Sequence, residues 1–152
     1  MNFIFSKIIE FKVAEHYYGK NGEVLFIPVG KFSSYDIISQ SKQLSFEIKF
    51  ESRARDTFNL CFEYSYRGKA SGLSITDAQM WVHVVPMDNE RFCCYEFSVN
   101  NLKEVLKNFP EYRAGDDNQS VVRLLPLHKA EEIKQDKFNF TINWDEIKPY
   151  WA

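Results

Sequence analysis

The sequence lacks three features that mark whole classes of protein: a long apolar run, a cysteine framework and an excess of basic charge. No stretch of about 18 uncharged apolar residues occurs, and Lys7 and Glu10 interrupt the apolar start, so we expect neither a membrane span nor a secretory signal. The cysteines Cys61, Cys93 and Cys94 have no metal-binding spacing and lie in apolar stretches, which disfavours structural zinc and a disulfide framework. These absences predict an intracellular, cytoplasmic protein.

The chain carries little net charge, because 19 basic and 21 acidic residues leave a formal charge of −2 at pH 7. This low net charge disfavours a surface that is basic all round, so contact with nucleic acid would require a local basic patch. A divalent cation bound by carboxylates reverses the local sign of charge. The net charge therefore does not exclude a phosphate-binding site.

Motifs of several common enzyme classes are also missing. His16, His83 and His128 are isolated in the sequence, and no Ser-His-Asp order, nucleotide-binding loop or zinc motif occurs. Internal repeats, low-complexity tracts and linkers are missing too. What the chain does have is apolar mass, with 45% hydrophobic residues including 14 Phe and 8 Tyr. The length and composition therefore predict that residues 1–152 form a single domain, which buries about two-thirds of its unfolded surface.

The first part of the chain shows helical and then strand periodicity. Phe3 to Tyr18 has apolar residues at helical spacing and predicts a helix with a wide buried arc, in which Glu10 and Glu15 are unusual acids. Glu23 to Val29 predicts a short strand. Three further strands, expected to form an antiparallel meander, are predicted at Asp36 to Ile38, Leu44 to Phe50 and Asn59 to Tyr66.

A basic, glycine-containing loop separates this meander from the rest of the chain. The loop runs from Arg67 to Gly72, and Thr76 after it can cap a short helix. Met80 to Pro86 is apolar enough for a strand that is buried on both faces. Ser98 or Asn100 can cap an amphipathic helix. Further strands are predicted at Phe92 to Phe97, Val121 to Leu125 and Phe138 to Trp144.

Asp36 and the tripeptide Glu47-Ile48-Lys49 form the pattern that best indicates chemistry. Side chains on a strand alternate between its faces, so Glu47 and Lys49 project from one face and Ile48 from the other. Hydrolysis of a phosphodiester requires a cation that neutralises the phosphate and activates water, and two carboxylates with a backbone carbonyl suffice to hold Mg²⁺. The alternative is an ordinary half-exposed strand on which Glu47 and Lys49 pair loosely.

A longer series of motifs surrounds this pattern. In chain order the segments are Glu10, Ser33-Ser34, Asp36, Glu47-Ile48-Lys49, Thr57-Phe58-Asn59, Glu63-Tyr64 and Gly68 to Ala78. In this order the chain resembles the PD-(D/E)XK nuclease superfamily from Phe3 to about Val85, and most of all its small phage-type and Holliday-junction-resolvase-like members. Two positions depart from the pattern, since Phe58 replaces the usual glycine and Tyr35 the usual proline.

The resemblance implies an α/β fold with a restriction-endonuclease-like core, in which a helix, a three-strand antiparallel meander, a helix and a strand form a mixed central sheet flanked by helices. The core would span about residues 3–86, with 87–152 as an elaboration. The implied function is a Mg²⁺-dependent endonuclease, with Mn²⁺ as a substitute, that hydrolyses duplex or branched DNA at a particular structure or site, as a homodimer. Two alternatives stay open, namely cleavage of RNA and a catalytically silent nuclease-like module that binds nucleic acid or protein.

The resemblance also assigns roles to individual residues. Asp36 and Glu47 would be metal ligands, Lys49 the catalytic lysine, and Glu10 a helix acid that approaches the site through a second ion or water. Glu15 is the alternative helix acid.

Glu63 is either a further ligand or a polar position on a sheet. Phosphate contacts are expected from a glycine-rich turn that leads into a helix N-terminus, since backbone N–H groups and the helix dipole favour anions there. The residues expected to contact DNA are Ser34, Arg67, Lys69, Ser71, Ser74 and Thr76. The alternative for this segment is an ordinary loop and helix cap.

Overall fold

Within residues 3–27, 35–41 and 43–148, which the computed structural model describes, the chain forms two β-sheets and five α-helices. The helices are α1 (Phe3–Asn21), α2 (Ala54–Thr57), α3 (Val99–Leu106), α4 (Leu127–Ile133) and α5 (Trp144–Ile147). The strands are β1 (Leu25–Phe26), β2 (Ile37–Ser39), β3 (Ser45–Phe50), β4 (Asn59–Tyr66), β5 (Lys69–Ala70), β6 (Met80–Pro86), β7 (Arg91–Ser98), β8 (Glu111–Ala114), β9 (Ser120–Pro126) and β10 (Asp136–Thr141).

The first sheet is mixed and has the strand order β1-β2-β3-β6-β7-β10. Its neighbouring strands are antiparallel except β3 and β6, which run parallel. Helix α1 covers one face, where Ile9 and Val13 pack in one cluster with Phe46 and Val82. The expected α/β architecture with a mixed sheet flanked by helices is therefore confirmed.

Strand β6 is buried from Met80 to Val85, as its apolar sequence predicts. Its two faces belong to two separate cores, because Val82 packs beneath α1 while Trp81 packs with Leu60 and Leu102 on the other side. The side chains of β3 divide in the same way, with Phe46 buried towards α1 and Glu47 projecting from the opposite face.

The expected meander is wrong in its third strand. Strand β4 belongs to a second, antiparallel sheet with the order β5-β4-β9-β8. In the first sheet, the antiparallel series consists of β1, β2 and β3, and β3 then pairs in parallel with β6. The reason is packing: Leu60 and Phe62 are fully buried against Trp81 and Phe97 of the first sheet. Strand β4 therefore lies over the first sheet and not beside β3.

The short helix expected after Thr76 is also wrong. A single 3₁₀ turn spans Gly72–Ser74, and residues 75–79 contain no helix. Gly72 has a φ of +51°, and a Cβ added there would overlap the carbonyl oxygen of Glu63 on β4. The chain is thus held against β4, and the backbone N–H of Ala78 bonds to the Thr76 hydroxyl before β6 begins.

The second half follows the predicted elements with shifted ends. Helix α3 begins after Ser98, whose hydroxyl accepts the N–H of Asn101 at 3.4 Å. Trp144 begins α5 and does not end a strand, and α2, α4 and β8 were not predicted. Strand pairing crosses residue 86, because β4 pairs with β9 and β6 with β7. In the described part of the chain, no helix has the length and apolarity needed to cross a membrane.

Candidate functional site

Asp36 and Glu47 lie near each other where β2 begins beside β3. The register joins Ile37 to Phe46, Asp36 directly precedes β2, and the charge of Asp36 acts on the Glu47 carboxyl. The N–H of Asp36 donates to the Phe46 carbonyl at 2.8 Å, and its carboxylate accepts the N–H of Ile48 at 2.8 Å. Asp36 is therefore anchored to the strand that carries Glu47.

Lys49 projects from the same face of β3 as Glu47 and is exposed. Its neighbour on the parallel strand β6 is His83, just as Trp81 is the neighbour of Glu47. Among the described residues, no contact within 4.0 Å pairs Lys49 with Glu47 or another carboxylate. The charge of Lys49 nevertheless attracts the Glu47 carboxylate and opposes the rise in its pKa.

Of the two helix acids, Glu10 is the one that belongs to this site. Its side chain is 8% exposed and forms an ion pair with Lys7 at 2.9 Å. Burial raises the pKa of Glu10, and repulsion from Asp36 raises it further, against the attraction of Lys7. Glu15 lies on the exposed side of α1, with 54% of its side chain accessible.

The three carboxylates are in electrostatic contact. Burial, together with repulsion from Asp36 and Glu10, raises the pKa of Glu47 to about 8. Burial also raises the pKa of Asp36, although the hydrogen bond from Ile48 opposes this change. Binding of either a proton or a cation would stabilise this group of carboxylates, because each one is costly to ionise beside the others.

The oxygen donors of Asp36 and Glu47 fit a hard divalent cation such as Mg²⁺, which binds through one or two carboxylates and keeps several waters. The described residues contain no group of three His, Cys, Asp or Glu side chains arranged to hold an ion. The remaining ligands would thus be carbonyl, water or substrate oxygens.

A groove of about 520 Å³ opens beside Lys49, between the end of β3 and the second sheet. Strand β9 contributes Ser120 and Val122 to its wall. The other lining residues that matter here are Lys49, Glu51, Arg53, Thr57, Asn59 and Glu63. Its volume is in the range of sites for small ligands.

Glu51 and His83 form a hydrogen-bonded chain that the sequence did not reveal. The indole N–H of Trp81 can only donate, and it donates to His83 Nδ1 at 3.1 Å. The ring proton of His83 therefore sits on Nε2 and is donated to Glu51 Oε1 at 2.7 Å, where the N–H of Cys61 also donates. The one signal in the sequence is alternation, since Glu51 follows Glu47 and Lys49 at a spacing of two.

Glu63 on β4 is hydrogen-bonded to two other segments of the chain. Its carboxylate accepts the hydroxyl of Ser71 at 2.9 Å and the hydroxyl of Ser120 at 2.7 Å, so each oxygen has a partner. The structure thus gives Glu63 the polar sheet position that was one of its two predicted roles.

The segment expected to contact DNA lies at the outer edge of the second sheet. Lys69 is exposed on β5, and the Arg67 guanidinium lies 5.2 Å from the centre of the Tyr66 ring. The hydroxyl of Ser74 donates to the Tyr64 carbonyl at 2.6 Å, as that of Ser71 does to Glu63. No helix N-terminus follows Thr76, so the dipole expected there is missing, while Ser34 lies outside the described residues.

One acidic pair, one exposed lysine and a groove therefore meet at β3, and a third carboxylate lies close enough to perturb the pair. This arrangement can bind a divalent cation and present an ammonium group to an anion beside it. No protein-family model, no curated protein and no solved structure matches the chain.

Proposed function

We propose that this chain is a metal-dependent nuclease that hydrolyses DNA phosphodiester bonds. The observation that carries the proposal is that two partly buried carboxylates, Asp36 and Glu47, repel each other at one end of β3, with Lys49 on the same face as Glu47. Carboxylates that are close together and partly buried are costly to ionise without a proton or a cation. This arrangement supports a bound cation better than it supports an ordinary half-exposed strand.

The strand order supports a restriction-endonuclease-like core. Helix α1 precedes the antiparallel strands β1, β2 and β3, and β6 then runs parallel to β3. The connection between β3 and β6 differs from the expected core, because it contains α2 and two strands of the second sheet where one helix was expected. The charged motif nevertheless occupies the third strand of an antiparallel series that begins after a helix.

Asp36 and Glu47 would hold Mg²⁺, or Mn²⁺ in its place. When bound, such an ion neutralises charge on the scissile phosphate and lowers the pKa of a water molecule. Lys49 places a point charge beside this position and stabilises the negative charge that develops on the phosphate. The hydrogen bond from Ile48 keeps Asp36 oriented, and Glu10 adds a third negative charge that favours a second ion or an ordered water.

Cleavage assays in Mg²⁺, Mn²⁺ or EDTA would test the proposal on linear, nicked and four-way DNA, with RNA as a parallel substrate. We expect cleavage of DNA that requires the metal, and paired cuts if the protein acts as a homodimer. Lys49→Ala and Glu47→Gln should each abolish cleavage. Glu15→Gln is the matched control, because this exposed acid lies on the same helix as Glu10 but away from the site.

Cleavage that persists in excess EDTA would refute the role of the metal. Calorimetry should show that Mg²⁺ binds the wild type and that Glu47→Gln weakens this binding. If DNA binds but no substrate is cut in either metal, the chain is the catalytically silent binding module.

A further inference from the structure

Helix α2 ends at Phe58, which has an unusual backbone and an unusual exposure. Its φ of 58° and ψ of 25° place it in the left-handed region, which glycine adopts freely and other residues avoid. The residue is nevertheless 69% exposed, so burial does not compensate for the strained backbone. Packing against the part of the chain that the structure describes therefore gives no reason for an aromatic residue here.

The backbone around Phe58 is fixed by hydrogen bonds on both sides. The N–H of Phe58 donates to the Ala54 carbonyl at 2.9 Å, and its own carbonyl accepts the N–H of Leu127 at 2.9 Å. Asn59 donates from its side chain to the Thr57 carbonyl at 3.0 Å, and from its backbone to the Thr57 hydroxyl at 3.3 Å. These bonds preorganise the backbone, so the Cα–Cβ bond of Phe58 projects in one fixed direction.

Phe58 does not itself line the groove that contains Lys49, but it lies between two residues that do. Thr57 and Asn59, the residues on either side of Phe58, both line that groove, and so does Arg53. Arg55 is exposed on the same short helix. An aromatic surface beside cationic side chains is the combination that binds a nucleic-acid strand, because bases stack on the ring while the cations attract phosphates.

We propose that Phe58 is a stacking platform for an unpaired DNA base, from which the strand runs through the groove to Lys49. The proposal rests on the proposed nuclease function and narrows its substrate to DNA with a single-stranded or branched segment. The groove is large enough for a nucleotide. Phe58 would bind and orient the strand without taking part in the chemical step.

The test compares binding of single-stranded, four-way and fully duplex DNA to metal-free protein in EDTA. We expect Phe58→Gly to weaken binding of the first two about tenfold, which is the effect of losing one stacked base, and to leave binding of linear duplex unchanged. Phe58→Trp should retain the wild-type affinity and add a tryptophan emission that single-stranded DNA quenches.

Two further variants separate loss of the ring from damage to the fold. Phe58→Asn also accepts a left-handed backbone and should weaken binding as glycine does. Phe11→Ala is the matched control, because it removes a ring that is 55% exposed on α1, and it should bind all three DNAs as the wild type does.

Unchanged affinity of Phe58→Gly and Phe58→Asn for single-stranded and four-way DNA would overturn the role of Phe58. If Lys49→Ala still abolished cleavage in that case, the proposed nuclease function would survive without it. Wild-type protein that neither binds nor cuts any DNA would overturn both.

Discussion

Glu47 gives the most direct physical test of the site, because its effect on stability depends on pH. In metal-free protein, burial and neighbouring carboxylates raise the pKa of Glu47 from its ordinary value of 4.5 to about 8. The folded state therefore binds this proton more tightly than the unfolded state does. The stability gained from the proton is fully present below pH 4.5 and is lost as the pH rises through about 8.

Glu47→Gln replaces the titrating carboxyl with a neutral group of the same shape. A displacement of about 3.5 pH units corresponds to an upper limit of about 5 kcal/mol in the free energy of unfolding. Glu47 is only partly buried and Lys49 lies on the same face, so solvent and this charge reduce the effect. We expect the variant to be more stable than the wild type by about 2–3 kcal/mol at high pH.

The measurement is urea denaturation in EDTA at a series of pH values from about 5 to about 9, with Glu15→Gln as a control that keeps the wild-type pH dependence. The stability difference between Glu47→Gln and wild type should grow as the pH rises. Adding Mg²⁺ at high pH should shrink it, because the cation replaces the missing proton and stabilises only the wild type. Parallel pH profiles for Glu47→Gln and wild type would show that burial and the neighbouring carboxylates do not raise the pKa of Glu47.

Two further changes test contacts around the groove. Gly72→Ala should lower the free energy of unfolding by about 2–4 kcal/mol, because its Cβ would overlap the Glu63 carbonyl oxygen and force strain at positive φ. Gly68→Ala, at a positive φ but with open space around it, should cost less in the same denaturation assay. Trp81→Phe should cost about 1–3 kcal/mol, because it leaves the buried Nδ1 of His83 without a donor. Nitrogen NMR of the wild-type ring should show the proton on Nε2 and none on Nδ1, and a proton on Nδ1 would contradict the assignment.

Local periodicity in the sequence predicted which residues form strands and which face each side chain takes. The alternation of β3 placed Glu47 and Lys49 together because side-chain direction on a strand depends only on position. The same alternation in Asn59–Tyr66 did not show which strands are its neighbours. Leu60 and Phe62 would be buried equally well beside β3 or above it, and only contacts with Trp81 and Phe97 decide between these positions.

Some charged residues of the candidate site could be predicted from the sequence and others could not. Asp36, Glu47 and Lys49 lie on or directly beside one pair of adjacent strands, so a short motif was enough to predict that they lie close together. The bond between Glu51 and His83 spans 32 positions and depends on the pairing of β3 with β6. Gly72 illustrates the opposite error, because a glycine expected to help a loop bind phosphate is needed for close packing against β4.

The second half of the chain builds the environment of a site whose charged residues all lie in the first half. Strand β7 pairs with β6 and completes the sheet beside β3, and β9 pairs with β4 and supplies one wall of the groove. Without these strands, the face of β3 that carries Glu47 and Lys49 would have water where the second sheet now lies. Water would screen the repulsion between Glu47 and Asp36, and the pKa of Glu47 would fall towards its ordinary value. Residues 87–152 therefore help to set the electrostatic environment of Glu47.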